Sequence, residues 1–294
     1  MMEISLHEAR RRIRSITKAL PAQTLSLSQA LSCCLVEDIS LVHGKPAFDQ
    51  STRDGFALAA PENNSHEIHP NKEFTYSIVG EIAAGDVGQS SLQPGTAYRI
   101  MTGAKPPSGV SHVIPFELVR EESGQVFVPA TMIGDNSYIR REGCEFKSGE
   151  LVVSKGVPLE PGSLMALAAD GVEQVNVHRR PLVLVVCTGT ELVRPGLSPG
   201  SVEKVSSNGV LLASLLSQSG VDCRTVDPVS DDIEELRNVL RELEKTGPDM
   251  IITTGGMGPG KYDNLERVFL SLDGVVHYNR LRMRPGKATM FGSL

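Results

Sequence analysis

The stretch TTGGMGPGKYD (residues 253–263) constrains this chain more than any other. It follows the apolar run Met250-Ile251-Ile252, which predicts a buried strand. It precedes Leu265-Glu266-Arg267-Val268-Phe269, which predicts a helix. A Gly-Gly turn between such elements belongs at the carboxyl end of a parallel sheet. There, backbone N–H groups approach a phosphate closely and the next helix adds positive dipole. Asp263 places a carboxylate where a phosphate-bound cation would sit. Gly-rich turns of this kind also serve as plain connections. Two further segments favour the anion site: TGTEL (188–192), after another apolar run, and MRPGK (283–287).

From Pro181 onward the pattern is βαβ. Leu182–Val186 is apolar throughout, as a strand covered on both faces requires. A helix is expected after Asn208, with Val210, Leu211, Leu212, Leu215 and Leu216 inward and Gly220 as its stop. Cys223–Val226 reads as the next strand. Asp231 and Asp232 then open a helix with Ile233, Leu236, Val239, Leu240 and Leu243 on one face. Ligands of such open sheets bind beyond the carboxyl ends of the strands, where TGTEL and TTGGMGPG both lie.

Upstream, Ser5 and Glu8 form a capping box before the stripe Leu6, Ala9, Ile13, Ile16 and Leu20. The run Arg10, Arg11, Arg12 and Arg14 reads as a solvated helix face rather than an anion site. A shorter helix is expected over Ser28–Val36. Residues 40–135 carry short β-like runs (Phe74–Val79, Tyr98–Met101, Val113–Phe116, Val126–Val128) between Gly and Pro turns, with a hairpin at Ser123-Gly124 and an exposed loop over Pro61–Lys72. The fold class is therefore α/β plus a β-rich module, ending in a three-layer α/β domain with a mostly parallel sheet. The expected boundaries are 1–45 with 137–178 as an N-terminal and linking region, 46–136 as the β-rich domain, and 179–294 as the α/β domain.

Composition narrows the function. A formal net charge of -6 disfavours wholesale nucleic-acid binding, and the absence of Trp removes a base-stacking platform. No apolar run is long enough to span a membrane, and the N-terminus lacks a signal-peptide core, so a cytoplasmic protein is expected. The five cysteines include no C-x-x-C, which points to reduced thiols. What remains is a set of single carboxylates after strands (Glu191, Asp231, Asp232, Asp263), a Gly-rich anion nest, and the cations Arg284 and Lys287. That set suits a phosphorylated ligand held with Mg²⁺. Each member also has a structural reading. Asp231 and Asp232 serve as helix caps, Thr188 and Glu191 as a turn, Asp54-Gly55 and Pro285-Gly286 as turns.

In order along the chain, DQSTRDGFA (49–57), RIMTGA (99–104), NSYIRREGCEF (136–146), VVCTGTEL (185–192), SSNGVLLASLLSQSG (206–220), TTGGMGPGKYD and MRPGK together resemble the molybdopterin molybdenumtransferase family, the MoeA and gephyrin E-domain proteins. The resemblance covers nearly the whole chain. It implies insertion of molybdate into adenylylated molybdopterin with Mg²⁺ and release of AMP, by an elongated multidomain chain acting as a cytosolic homodimer. It implies catalytic roles for Asp54, Thr102, Glu145, Glu191, Asp263 and one of Asp231 and Asp232, with Asp232 taken as that one. Glu191 and Asp263 would hold the metal. Thr188, Gly189, Asn208, Gly255, Gly256, Arg284 and Lys287 would bind the pterin nucleotide.

The chain departs from the family's pattern at Gln50, Thr52, Arg53 and Phe56, at Gly258 and Lys261 in the Gly-rich loop, at Arg284 in place of lysine, and at Glu145 in place of aspartate. The family also continues past the position of Leu294 with a G-L-P-G-N-P loop and a small β domain. An α/β domain incomplete at its C-terminus and slow turnover are therefore expected. Two alternatives stand beside the transferase: a catalytically weak homologue that binds the nucleotide or partner subunits, and a related nucleotide pyrophosphatase.

Overall fold

Five α-helices occur among the described residues: α1 (Leu6–Ile16), α2 (Pro161–Ala169), α3 (Asn208–Gln218), α4 (Ile233–Lys245) and α5 (Leu265–Leu270). The computed structural model describes residues 3–60, 72–86, 91–134, 137–258, 260 and 263–294. By its contacts the chain divides into two units, one of Met1–Glu37, Ser154–Ala168 and Val172–Leu294, the other of Asp38–Val153 and Ala169–Gly171.

The first unit is organised on Leu182–Cys187, which pairs in parallel with Asp222–Thr225 on one side and Met250–Thr254 on the other. Alternation along this strand decides what covers each face. Val186 packs with Leu236 and Leu240 of α4 and with Leu265 and Val268 of α5. Cys187 points the other way, beneath Gly209 of α3, where a Cβ would stand 3.4 Å from Cys187 Sγ. Helices thus lie on both faces of a parallel sheet, the three-layer arrangement expected. At the opposite end of the strands, Arg179 grips Asp249 through two hydrogen bonds of 2.6 Å. Asp249 also accepts from Leu182 N–H at 2.8 Å, so one carboxylate fixes the start of two strands.

The N-terminal helix begins as its capping signal requires, with Glu8 N–H donating to Ser5 Oγ at 3.1 Å. Ala9 is its buried residue and joins Ile4, Tyr278 and Leu281 in a small core. The arginine run is partly occupied: Arg11 and Arg12 both bond to Glu8, and Arg12 also donates to the His277 carbonyl.

The expected stripe is only partly realised, because Leu6 and Ile16 are exposed and Leu20 lies past the end of α1. Two further local expectations fail. Residues 28–36 are not a helix. A single 3-10 turn, Leu27–Gln29, gives way to bridges that pair Cys34 with Pro158 and Leu35 with Val177. Ser32 adopts a positive φ of 63°, and its N–H bonds to Leu159 O, so the backbone satisfies itself across the unit rather than along a helix. The second failure is the inward face of α3. Val210, Leu211 and Leu215 are 56%, 57% and 52% exposed, and only Leu212 and Leu216 are half-buried. The helix lies with Gly209 against the sheet, and this close approach swings the leucine-rich side outward.

In the second unit, six strands run in the order Val110–Pro115, Gly55–Ala59, Thr96–Ile100, Glu73–Ile82, Gln125–Pro129, Arg120–Glu122. All neighbours are antiparallel except Thr96–Ile100 with Glu73–Ile82. Ser123 and Gly124, both at positive φ, close the hairpin as the Ser-Gly pair signalled. Gly55–Ala59 is buried on both faces. Phe56 and Leu58 enter one cluster with Tyr76, Ile114 and Val126, while Ala57 enters another with Ile82, Ile100 and Val113. A Cβ on Gly55 would lie 2.1 Å from Ile114 O, so glycine is required where Asp54 enters the strand. The loop expected over Pro61–Lys72 lies outside the described residues save Lys72.

Candidate functional site

The carboxyl ends of the three parallel strands meet in a knot of loops. Thr188, nearly fully buried, donates from N–H to Thr254 O at 2.7 Å and from its hydroxyl to the same oxygen at 3.2 Å. Gly189 N–H donates to Val229 O at 2.9 Å. A Cβ on Gly255, whose φ is +97°, would stand 2.4 Å from Thr188 O and 2.5 Å from its Oγ1. The TGTEL and TTGG loops are therefore in backbone contact, and glycine is obligatory at their junction.

Carboxylates surround this junction. Glu191 folds back over Gly189, its Oε2 2.8 Å from where a Cβ would be. Asp263 Oδ2 accepts from Gly260 N–H at 2.7 Å, and a Cβ on Gly258 would fall 2.7 Å from that same oxygen. The glycine at 258 thus leaves room for the carboxylate. Pro259, Lys261 and Tyr262 lie outside the described residues.

The structure separates the two adjacent aspartates. Asp232 is the N-cap of α4, its Oδ1 accepting from Glu234 and Glu235 N–H at 3.0 and 2.9 Å. Asp231 turns to the TGTEL loop, its Oδ2 accepting from Thr190 N–H at 3.2 Å. Asn264 Nδ2 donates to Asp231 O at 3.2 Å and ties the third loop to the start of α5. Sequence reasoning missed Asn264, although its place after Asp263 and before an apolar run marks a helix start. Asn208 is the first residue of α3. Gly209 beside it faces Cys187 and Thr225, the last residues of their strands, which puts Asn208 on the same rim.

In the second unit, three of the sequence motifs converge. Asp54 Oδ1 accepts both the N–H and the hydroxyl of Thr102, each at 2.7 Å. These two bonds hold the Asp54 carboxyl below the ordinary carboxylate range. Ser51, buried, exchanges backbone bonds with Gly103 and Ala104, and Thr52 N–H and hydroxyl both donate to Tyr138 O. Glu145 pairs with Arg140 at 3.0 Å. Asp49, also unanticipated, accepts from Arg141 Nη1 at 2.6 Å and Glu142 N–H at 2.8 Å.

Arg284 and Lys287 stand elsewhere in the first unit, beside the pairing of Glu3–Ile4 with Arg280–Leu281. Among the described residues no three His, Cys, Asp or Glu side chains gather as a metal cluster. No helix is long and apolar enough to cross a membrane, again among the described residues.

Comparison with known proteins decides the family. Residues 4–171 match the MoeA N-terminal region (domain I and II), and residues 184–294 match the probable molybdopterin binding domain. The chain belongs to the MoeA family. It is 33% identical over 289 residues to the molybdopterin molybdenumtransferase of Staphylococcus aureus strain Mu50, covering 97% of this chain and 67% of that protein. The Staphylococcus epidermidis protein of the same name is 32% identical over 288 residues, with the same coverage of both chains. The crystal structure of a molybdopterin biosynthesis MoeA protein from Pyrococcus horikosii superposes with a TM-score of 0.72 at 26% identity, over 99% of this chain and 72% of that one. This MoeA-family chain is accordingly a transferase of molybdenum cofactor biosynthesis.

Proposed function

We propose that this MoeA-family chain inserts molybdate into adenylylated molybdopterin, with Mg²⁺, and releases AMP. The observation that carries the reading is the rim knot. Backbone-tight glycine turns at Thr188–Gly189 and Gly255–Gly256 lie beside Glu191, Asp231 and Asp263, at the carboxyl ends of parallel strands. The Gly255–Gly256 turn would supply N–H donors for phosphate oxygens, while the Thr188 and Gly189 N–H groups, bonded to Thr254 O and Val229 O, fix the shape of the neighbouring turn. Single carboxylates suit Mg²⁺, which takes one or two protein carboxylates and completes its shell with phosphate oxygens and water. Glu191 and Asp263 would hold the ion, and bound Mg²⁺ would offset charge on the phosphoanhydride. Asn208, Gly255 and Gly256 would seat the nucleotide at the rim, on a turn shaped by Thr188 and Gly189, and Arg284 and Lys287, in their own cleft, would attract anionic groups. Asp231, which faces the TGTEL loop, fits the acidic role better than the capping Asp232.

Asp54, Thr102 and Glu145 complete the proposed machinery. Asp54 stays ionised at neutral pH and holds Thr102 in one orientation, a preorganised acceptor pair. We further propose a symmetric homodimer in the cytoplasm; the five cysteines, all free, suit a reducing compartment. Incubating the purified chain with adenylylated molybdopterin, molybdate and Mg²⁺ tests the reaction. Molybdenum bound to pterin, lost on chelation and restored by Mg²⁺, is expected. No incorporation with all three present would refute it.

A further inference from the structure

The MRPGK segment is part of a loop with both ends fixed. Leu281 N–H donates to Lys287 O at 3.0 Å, and Arg282 N–H donates to Ile4 O at 2.9 Å. The parallel pairing of Glu3 with Arg280 and Ile4 with Leu281 brings Glu3 alongside. Glu3, Leu281, Arg282, Met283, Arg284 and Lys287 line one cleft of about 310 Å³. Three cations and one carboxylate face it, an excess of positive charge in a chain whose formal net charge is -6. The carboxylate is engaged: Glu3 Oε1 lies 3.8 Å from Lys287 Nζ. Among the described residues, Arg282 and Arg284 have no such ion-pair partner.

We propose that Arg282 is a third anion-holding residue of this loop and that Glu3 is the internal counter-ion an incoming oxyanion displaces. The inference rests on the reading that Arg284 and Lys287 face substrate. Its ligand is a small, doubly charged oxyanion, either the free inorganic substrate or the phosphate of the nucleotide. A guanidinium offers a planar pair of donors that matches two oxygens of such a group. The Glu3–Lys287 pair is long and half-exposed, so its attraction is weak and a divalent anion displaces it readily. Glu3 therefore acts as a weak competitor for Lys287, which a divalent oxyanion displaces more readily than a monovalent one.

The test uses the full chain in two binding titrations at fixed ionic strength, one with molybdate and one with AMP. Arg282→Gln is expected to weaken binding about tenfold in one of them, the loss of a hydrogen-bonded charge, and the titration that responds identifies the source of the oxyanion. Arg282→Lys should fall between, because charge is kept and the fork is lost. Glu3→Gln is expected to tighten binding about threefold or more in the same titration, by removing a competitor. Both substituted side chains are solvent-exposed, so the fold survives the change. Unchanged binding of both probes by Arg282→Gln, or no tightening by Glu3→Gln, overturns the proposal. Lys287→Gln separates the levels: if it weakens binding while Arg282→Gln does not, only the role of Arg282 fails. If neither changes binding, the loop is not an anion site and the underlying assignment fails with it.

Discussion

Asp54 and Thr102 are 48 residues apart and share two hydrogen bonds of 2.7 Å. The backbone and hydroxyl of Thr102 together pull the Asp54 carboxyl below its ordinary value of 3.8. A carboxyl depressed in the folded state stabilises the fold above its unfolded value and loses that contribution as pH falls through the folded one. The Asp54 midpoint, followed by carboxyl NMR shifts, should therefore lie below 3.8, and Thr102→Val should move it back up. A wild-type midpoint at or above that value would dissolve the clasp. Asp263 is held differently: among the described residues its carboxylate accepts from Gly260 N–H. Asp263→Asn keeps an acceptor for that N–H but removes a charge. Molybdenum insertion is expected to fall by about 100-fold or more, with little change in the thermal midpoint. A large loss of stability with activity intact would instead make Asp263 a loop-closing residue.

Among the elements, the glycine junction and the α4 cap make opposite demands. Gly255→Ala forces a side chain to within 2.5 Å of Thr188 at a positive φ, so a cost of about 1–3 kcal/mol is expected together with loss of turnover. Asp232→Ala should cost about 1 kcal/mol, as removal of an N-cap does, with a smaller effect on turnover than Asp231→Ala. Denaturant midpoints and initial rates of the three variants decide this, and the order Asp232 above Asp231 in catalytic effect would reverse the assignment. At the far end of the sheet, the Arg179 hydrogen bonds are the largest influence on Asp249 and keep its carboxyl depressed. The clamp therefore holds above pH 3.8 and fails only as pH falls below it, so Asp249→Asn should flatten the acid limb of the stability curve.

The parallel strands, α4 and the two rim loops were legible because period, caps and glycines agree at each of them. The 28–36 segment and the outward face of α3 were not. In the first, apolar spacing mimics a helix while the backbone bonds lie across long sequence separations. In the second, one glycine's close approach to the sheet sets the helix's rotation, a packing fact that leucine spacing does not carry. The position of each rim residue on its loop was legible, but the different bonding of Asp231 and Asp232 depends on side-chain direction. Arg282 and Glu3 escaped because their meeting depends on a strand pairing between the two ends of the chain.

For the whole molecule, the central proposal joins residues from two units in one reaction. A homodimer is expected by light scattering at micromolar concentration. Mixing Asp54→Ala with Asp263→Ala protomers should restore part of the activity if the clasp of one subunit serves the rim of its partner. No recovery after confirmed subunit exchange would confine each ligand to a single chain. The most direct measurement follows AMP release and molybdenum incorporation together, from adenylylated molybdopterin, with and without molybdate at fixed Mg²⁺. Insertion coupled to cleavage requires AMP in step with pterin-bound molybdenum, and sharply less AMP when molybdate is withheld. AMP released equally fast without molybdate would mark the chain as a pyrophosphatase and contradict the proposed transfer.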